Sequence, residues 1–71
     1  MTTTRTTNSD YEAAYRRLTE QGSITVPDYQ ALTGLHRTSA YRAVRDGVIP
    51  SFRVGRSIRI PSTAVRAQLG L

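Results

Sequence analysis

The chain has 71 residues, a net charge of +5, no cysteine, and arginine as its only long cation: ten arginines and no lysine. That length allows one small domain with a thin core, since a chain of this size buries only about 60% of the surface its unfolded form exposes. The absence of cysteine excludes disulfide staples and thiolate metal sites, and no run is apolar enough for a secretory h-region or a membrane span.

The charge is uneven. Residues 1–36 hold three arginines against four acids, whereas residues 37–71 hold seven arginines against a single acid, Asp46. Such asymmetry points to nucleic acid or another anionic surface. Arginine's planar fork suits phosphates and guanine edges. An arginine-favouring codon bias would also remove lysine, but it leaves the clustering unexplained.

Residues 1–8 are Thr-rich and read as a flexible tail, with the single domain over 9–71. Ser9 and Glu12 have the spacing of a capping box. Tyr11, Ala14, Tyr15 and Leu18 follow at i, i+3, i+4, i+7, so a first helix is predicted over 10–21 and stopped near Gly22. Arg16, Arg17 and Glu20 read as its solvated face. Next, Pro27 and Asp28 suit a first helical turn, and Gly34 ends that short helix. After Leu35 and His36 a second helical pattern, RTSAYRAVRDG, closes at Gly47. Two short helices joined by a tight Gly-containing turn form a helix-turn-helix pattern.

The second of these helices sorts its residues by face. Ala40, Ala43 and Val44 lie on one side and are predicted to pack inward. Thr38, Tyr41, Arg42 and Arg45 lie on the other, with Arg37 and Ser39 in the first turn. Basic, phenolic and hydroxyl groups on one exposed face are what a helix entering a major groove presents. A solvated basic face has the same composition, but here arginines recur in the next element.

That element is SFRVGRSIRIP, an apolar–arginine alternation bounded by Pro50 and Pro61. A two-residue loop at 55–56 would pair Arg53 with Ile58 and Phe52 with Arg59, mixing charge and apolar groups on each face. A three-residue loop, Gly55-Arg56-Ser57, pairs Val54 with Ile58, Arg53 with Arg59 and Phe52 with Ile60. It sorts every apolar residue to one side, and it is the expected register, although glycine usually stands last in such loops. Arg53 then opposes Arg59 at a cost of roughly 0.2–1 kcal/mol, which phosphates lying between them would offset. Finally, Ser62 or Thr63 is a candidate cap for a short terminal helix carrying Val65 and Leu69.

The stretch GLHRTSAYRAVRDGVIPSFRVGRSIRIP resembles the excisionase-type winged helix-turn-helix proteins, relatives of the DNA-binding domain of MerR regulators. RTSAYRAVRDGVIP is similar to that family's recognition helix with its closing glycine and proline, and RVGRSIRI to its wing. The likeness spans roughly residues 24–70. The whole chain resembles a short phage excisionase, a recombination directionality factor of mycobacteriophage type. The resemblance implies a mainly α fold with a small antiparallel β-hairpin. It implies DNA contacts from Arg37, Thr38, Ser39, Tyr41, Arg42 and Arg45 on the helix, with Tyr41 near a phosphate, and from Arg53, Gly55, Arg56, Ser57 and Arg59 on the wing. His36 departs from the Ser, Thr or Asp usual before that helix, and Gln30 from a small residue.

Such proteins are not enzymes. They bind repeated sites on double-stranded DNA side by side, head to tail with copies of themselves, bend the DNA and help a phage integrase. The resemblance implies no cofactor, no small-molecule ligand, no membrane partner, and a cytoplasmic, nucleoid-associated place in a bacterial host. A stand-alone winged helix-turn-helix regulator, a terminase small-subunit domain and a module for an acidic protein partner are the competing readings. Catalysis has little to work with: one histidine without a carboxylate partner by spacing, scattered acids, no phosphate-cradling loop and no metal-ligand cluster.

Overall fold

A computed structural model describes the backbone of residues 2–71 and the side chains of residues 10–71. The elements in chain order are α1 (Thr2–Glu20), β1 (Ser23–Thr25), α2 (Val26–Thr33), α3 (Arg37–Arg45), β2 (Phe52–Val54), β3 (Ser57–Pro61) and α4 (Ser62–Leu69). The fold is a winged helix-turn-helix, mainly helical with a small antiparallel sheet. The sheet has three strands in the order β1-β3-β2, not a hairpin alone.

The α1 helix begins ahead of the expected start at Asp10, so Ser9 and Glu12 do not bracket its first turn. A Ser-x-x-Glu pair signals a start only where the preceding residues leave the helix. The flexible tail expected over 1–8 concerns a segment whose side chains lie outside the described residues. Ala14 and Leu18 of α1 are fully buried, whereas Tyr11 and Tyr15 stay half exposed and stack on each other with centroids 6.3 Å apart.

The capping box occurs instead at α2. Thr25 accepts from the backbone N–H of Asp28, and the Asp28 carboxylate accepts from the N–H of Thr25. Pro27 sits in the first turn, where its missing N–H costs nothing. Gly34 closes the helix in the left-handed conformation at φ 78°. Arg17, expected to be solvated, forks onto the same carboxylate: its Nη2 lies 2.6 Å from Oδ1 and its Nε 3.0 Å from Oδ2. Burial pushes the Asp28 carboxyl up, but the Arg17 and Thr25 hydrogen bonds outweigh it, and the group titrates below its ordinary value.

The core joins Ala14, Leu18, Ile24, Val26, Tyr29, Leu32, Ala40, Ile49, Ile60 and Val65. The α4 helix closes over it. Ser62, expected as a possible cap, is not one: Pro61 holds the N-cap position without a side-chain cap. The Ser62 hydroxyl donates instead to the Gln21 carbonyl at 2.6 Å, and its N–H donates to Gly22. Arg66 Nη1 donates to the Leu18 carbonyl, and the Tyr29 hydroxyl to Gln68 Oε1. Both bonds draw the last helix onto α1 and α2.

Candidate nucleic-acid interface

The turn from α2 into α3 is short because Gly34 reverses the chain and Arg37 already begins the next helix. Nothing caps α3 through a side chain: His36 stands at the N-cap, and its imidazole makes no cap hydrogen bond. At the far end Gly47, at φ 77°, lets the N–H of Val48 reach the Ala43 carbonyl at 2.9 Å and its own N–H reach that of Val44. This is a Schellman closure. It returns the chain to bury Ile49 before Pro50 and the wing.

On α3 the inward side is as expected: Ala40 is fully buried, and Ala43 and Val44 pack against the core. The outward side is exposed. Arg37, Thr38, Tyr41, Arg42 and Arg45 line a groove of about 550 Å³ whose other wall is Arg53 and Ile58 of the wing. Val44 and Ile58 make its floor apolar. Sequence reasoning assigned Val44 only to the core and paired Ile58 only with Val54, and their shared place in the groove depends on how the wing packs. Ser39 is exposed but stands outside the groove, and Gly55, Arg56 and Ser57 lie at the wing tip.

The wing register corrects the expected one. Phe52 pairs with Arg59, Arg53 with Ile58 and Val54 with Ser57, so the loop is the two residues Gly55-Arg56. Gly55 has φ 62°, and no other residue of the loop has positive φ. A left-handed glycine in first position is the type II′ pattern, whose twist suits tight hairpins. The expected register assumed that all apolar side chains of the wing share one buried face. In fact they divide. Ile58 and Ile60 share the inner face with Arg53, which is itself exposed, while Phe52 and Val54 remain 44% and 60% exposed on the outer face with Arg59.

Arg53 and Arg59 therefore do not oppose each other, and the expected row of facing arginines does not form. Arg59 is latched across the sheet, its Nε on the Ser23 hydroxyl and its Nη2 on the Ser23 carbonyl, both at 3.1 Å. Its anchor is β1, a three-residue strand too short to leave a periodic signal in the sequence.

The groove carries four guanidinium groups, from Arg37, Arg42, Arg45 and Arg53. The one acid of the C-terminal half, Asp46, meets Arg45 Nε at 3.2 Å with both groups well exposed, a contact worth little in water. The Arg37 guanidinium carbon lies 5.6 Å from the Tyr41 ring centroid. Among the described residues no group of His, Cys, Asp and Glu is placed to hold a metal ion, and no helix is long and apolar enough to cross a membrane. The arrangement is a cationic cleft with an apolar floor beside an exposed helix, suited to a polyanion with flat, partly apolar units.

The sequence is similar to those of known proteins. A protein of Saccharopolyspora erythraea named "Probable excisionase" is 44% identical over 52 residues, 73% of this chain and 53% of the relative. A Mycobacterium tuberculosis protein named "Putative DNA-binding protein" is 39% identical over 46 residues, 65% of this chain and 59% of the relative. The chain thus matches little more than half the length of these curated relatives. No solved structure matches. The helix-turn-helix domain family matches residues 23–69, from β1 through the groove to the end of α4, and the chain belongs to that family.

Proposed function

We propose that this chain is an excisionase-like architectural protein that recognises specific DNA sequences. It binds tandem sites cooperatively, bends the DNA and directs an integrase toward prophage excision. The observation that carries the DNA reading is the groove between α3 and the wing, where four arginines converge with one exposed acid nearby. The excisionase reading is supported by the relative that bears that name.

In this mechanism α3 enters a major groove with Arg37, Thr38, Ser39, Tyr41, Arg42 and Arg45 toward the DNA. Arg53 on the inner wing face and Arg56 at the tip lie along the adjacent backbone, with the Gly55 and Ser57 backbone close to it. Arg59 is left out of the contact set because Ser23 occupies its fork. If about five phosphates are neutralised per protomer, log K falls against log salt with a slope of roughly −4 to −5. Bending a site of 20–30 base pairs costs on the order of 1–6 kcal/mol, offset by contacts between neighbouring copies placed head to tail.

Footprinting across a protein titration, on sites chosen by selection from random and phage DNA, tests the reading. Protection that grows in steps of about one helical turn, with steep cooperativity, is expected. A single footprint that never extends would favour a stand-alone transcription regulator, a reading suited to the M. tuberculosis relative named only for DNA binding. No protection at low salt would leave an acidic protein as the partner.

A further inference from the structure

We infer that Arg37 is the base-reading residue of α3, held by Tyr41 so that its fork meets a guanine edge in the major groove. This rests on the DNA reading above and adds the base class and the residue that reads it.

Three observations converge on Arg37. It is the first residue of α3, and the N-terminal residues of a recognition helix are the ones that reach base edges. It stands on the groove wall, beside Thr38 and Tyr41. Its guanidinium is held over the Tyr41 ring, one helical turn away, at 5.6 Å. The other arginines differ. Arg42, exposed in the same groove, stands with Arg45 in the last turn of α3, and Arg53 and Arg56 belong to the wing. Arg17 is bonded to Asp28, Arg59 to Ser23 and Arg66 to the Leu18 carbonyl. Arg45 touches Asp46.

A guanidinium attracted to a ring face loses none of its N–H donors to that contact, because the ring accepts through its π-cloud. The fork stays available for the paired acceptors O6 and N7 of guanine. Tyr41 also limits the rotamers of a side chain that would otherwise lose freedom on binding. Tyr41 is thus a positioning residue: its ring orients the reader, and its hydroxyl is dispensable for that role.

The test measures affinity of the full chain for its selected site and for single-base variants of it, at fixed salt. Arg37→Lys keeps the charge and removes the fork. It is expected to lower discrimination at one G·C position by roughly tenfold to a hundredfold, the range of a lost bidentate pair, while the salt slope and the other positions hold. Tyr41→Leu is expected to lower discrimination at that same position by roughly twofold to fivefold, the size of an exposed cation–π contact, and Tyr41→Phe to restore it. Circular dichroism confirms that each variant folds.

Base preference unchanged in Arg37→Lys, with all sequences weakened alike, would overturn the assignment and make Arg37 a phosphate contact. A Tyr41→Leu effect at every position, or none rescued by Phe, would overturn the positioning role. A wild-type chain that binds DNA without base preference would overturn the inference and the sequence specificity of the proposed function but leave DNA binding standing, whereas one that binds no DNA would overturn the reading beneath both.

Discussion

In the part of the molecule built from α1, β1, α2 and α4, several polar side chains are tied to partners within the fold. Arg17 grips Asp28, Arg66 holds the end of α1, Ser62 holds Gln21, and Tyr29 reaches Gln68. On α3 and the wing the pattern reverses. Arg37, Arg42, Arg53 and Arg56 are exposed, and none joins an ion pair among the described residues. Side chains of one type thus serve as internal fasteners in one region and as unfilled donors in the other. Arg59 shows where the boundary runs: it belongs to the wing by sequence and to the scaffold by its bonds with Ser23. Local composition does not distinguish the two roles; the partner's position does.

The sharpest way to break this contrast is at Asp28. Asp28→Ala removes a charged hydrogen-bonded pair and half of a capping box. It is expected to cost about 2–3 kcal/mol, lowering the melting temperature by roughly 10–20 °C in a domain of this size. Well below the new melting point the salt slope of DNA binding is expected to stay as it was. An unchanged melting temperature would show the pair to be ornamental. The pH dependence follows the same residue. Its folded carboxyl titrates below its ordinary value, so its stabilisation is present above the unfolded pKa of about 3.9 and is lost as pH falls through the folded pKa. Melting curves of Asp28→Asn are therefore expected to fall less steeply with acid than wild type below about pH 4.

Smaller effects separate the two wing arginines. Arg59→Ala is expected to cost about 1 kcal/mol of stability, the net worth of its hydrogen bonds to Ser23, and to leave the salt slope unchanged. Arg53→Ala is expected to leave melting unaltered, weaken binding to all sequences alike by about fivefold, and reduce the salt slope by about 1. Thermal denaturation and salt titration of both variants decide the matter, and an exchange of the two outcomes would reverse the assignment of the sheet faces to DNA.

Much of the helix-turn-helix was legible because punctuation marked it. Pro27 and Asp28 opened one helix, Gly34 and Gly47 closed two, and the Ala40–Ala43–Val44 side separated cleanly from the arginine side. What misled was reasoning that needed a partner distant in sequence. Arg17 reads as solvated because Asp28 lies on another helix. The strand β1 is only Ser-Ile-Thr, and it becomes a strand because Ile24 finds Ile60 opposite it. The wing register failed for a different reason. Apolar sorting presumes one buried face, yet only Ile58 and Ile60 have core to cover, and the local signal of a glycine in first loop position agreed with the observed turn. The α3–wing groove could be anticipated as two basic faces, but not as one cleft with Val44 and Ile58 at its floor.

The clasp of α4 on α1 has a consequence for how the chain reaches this state. Its bonds join residues far apart: Tyr29 to Gln68, Gln21 to Ser62, Leu18 to Arg66. The last two close loops that contain the whole helix-turn-helix and wing, and the first a loop from mid-α2 through the wing, and closure entropy must be met before any such contact stabilises the fold. The helices are local and quick to form, but the platform that orients them is set by the most non-local side-chain hydrogen bonds among the described residues. Folding is therefore expected to be slower than for a helical bundle of equal length, with the cleft taking shape late, as the last helix docks.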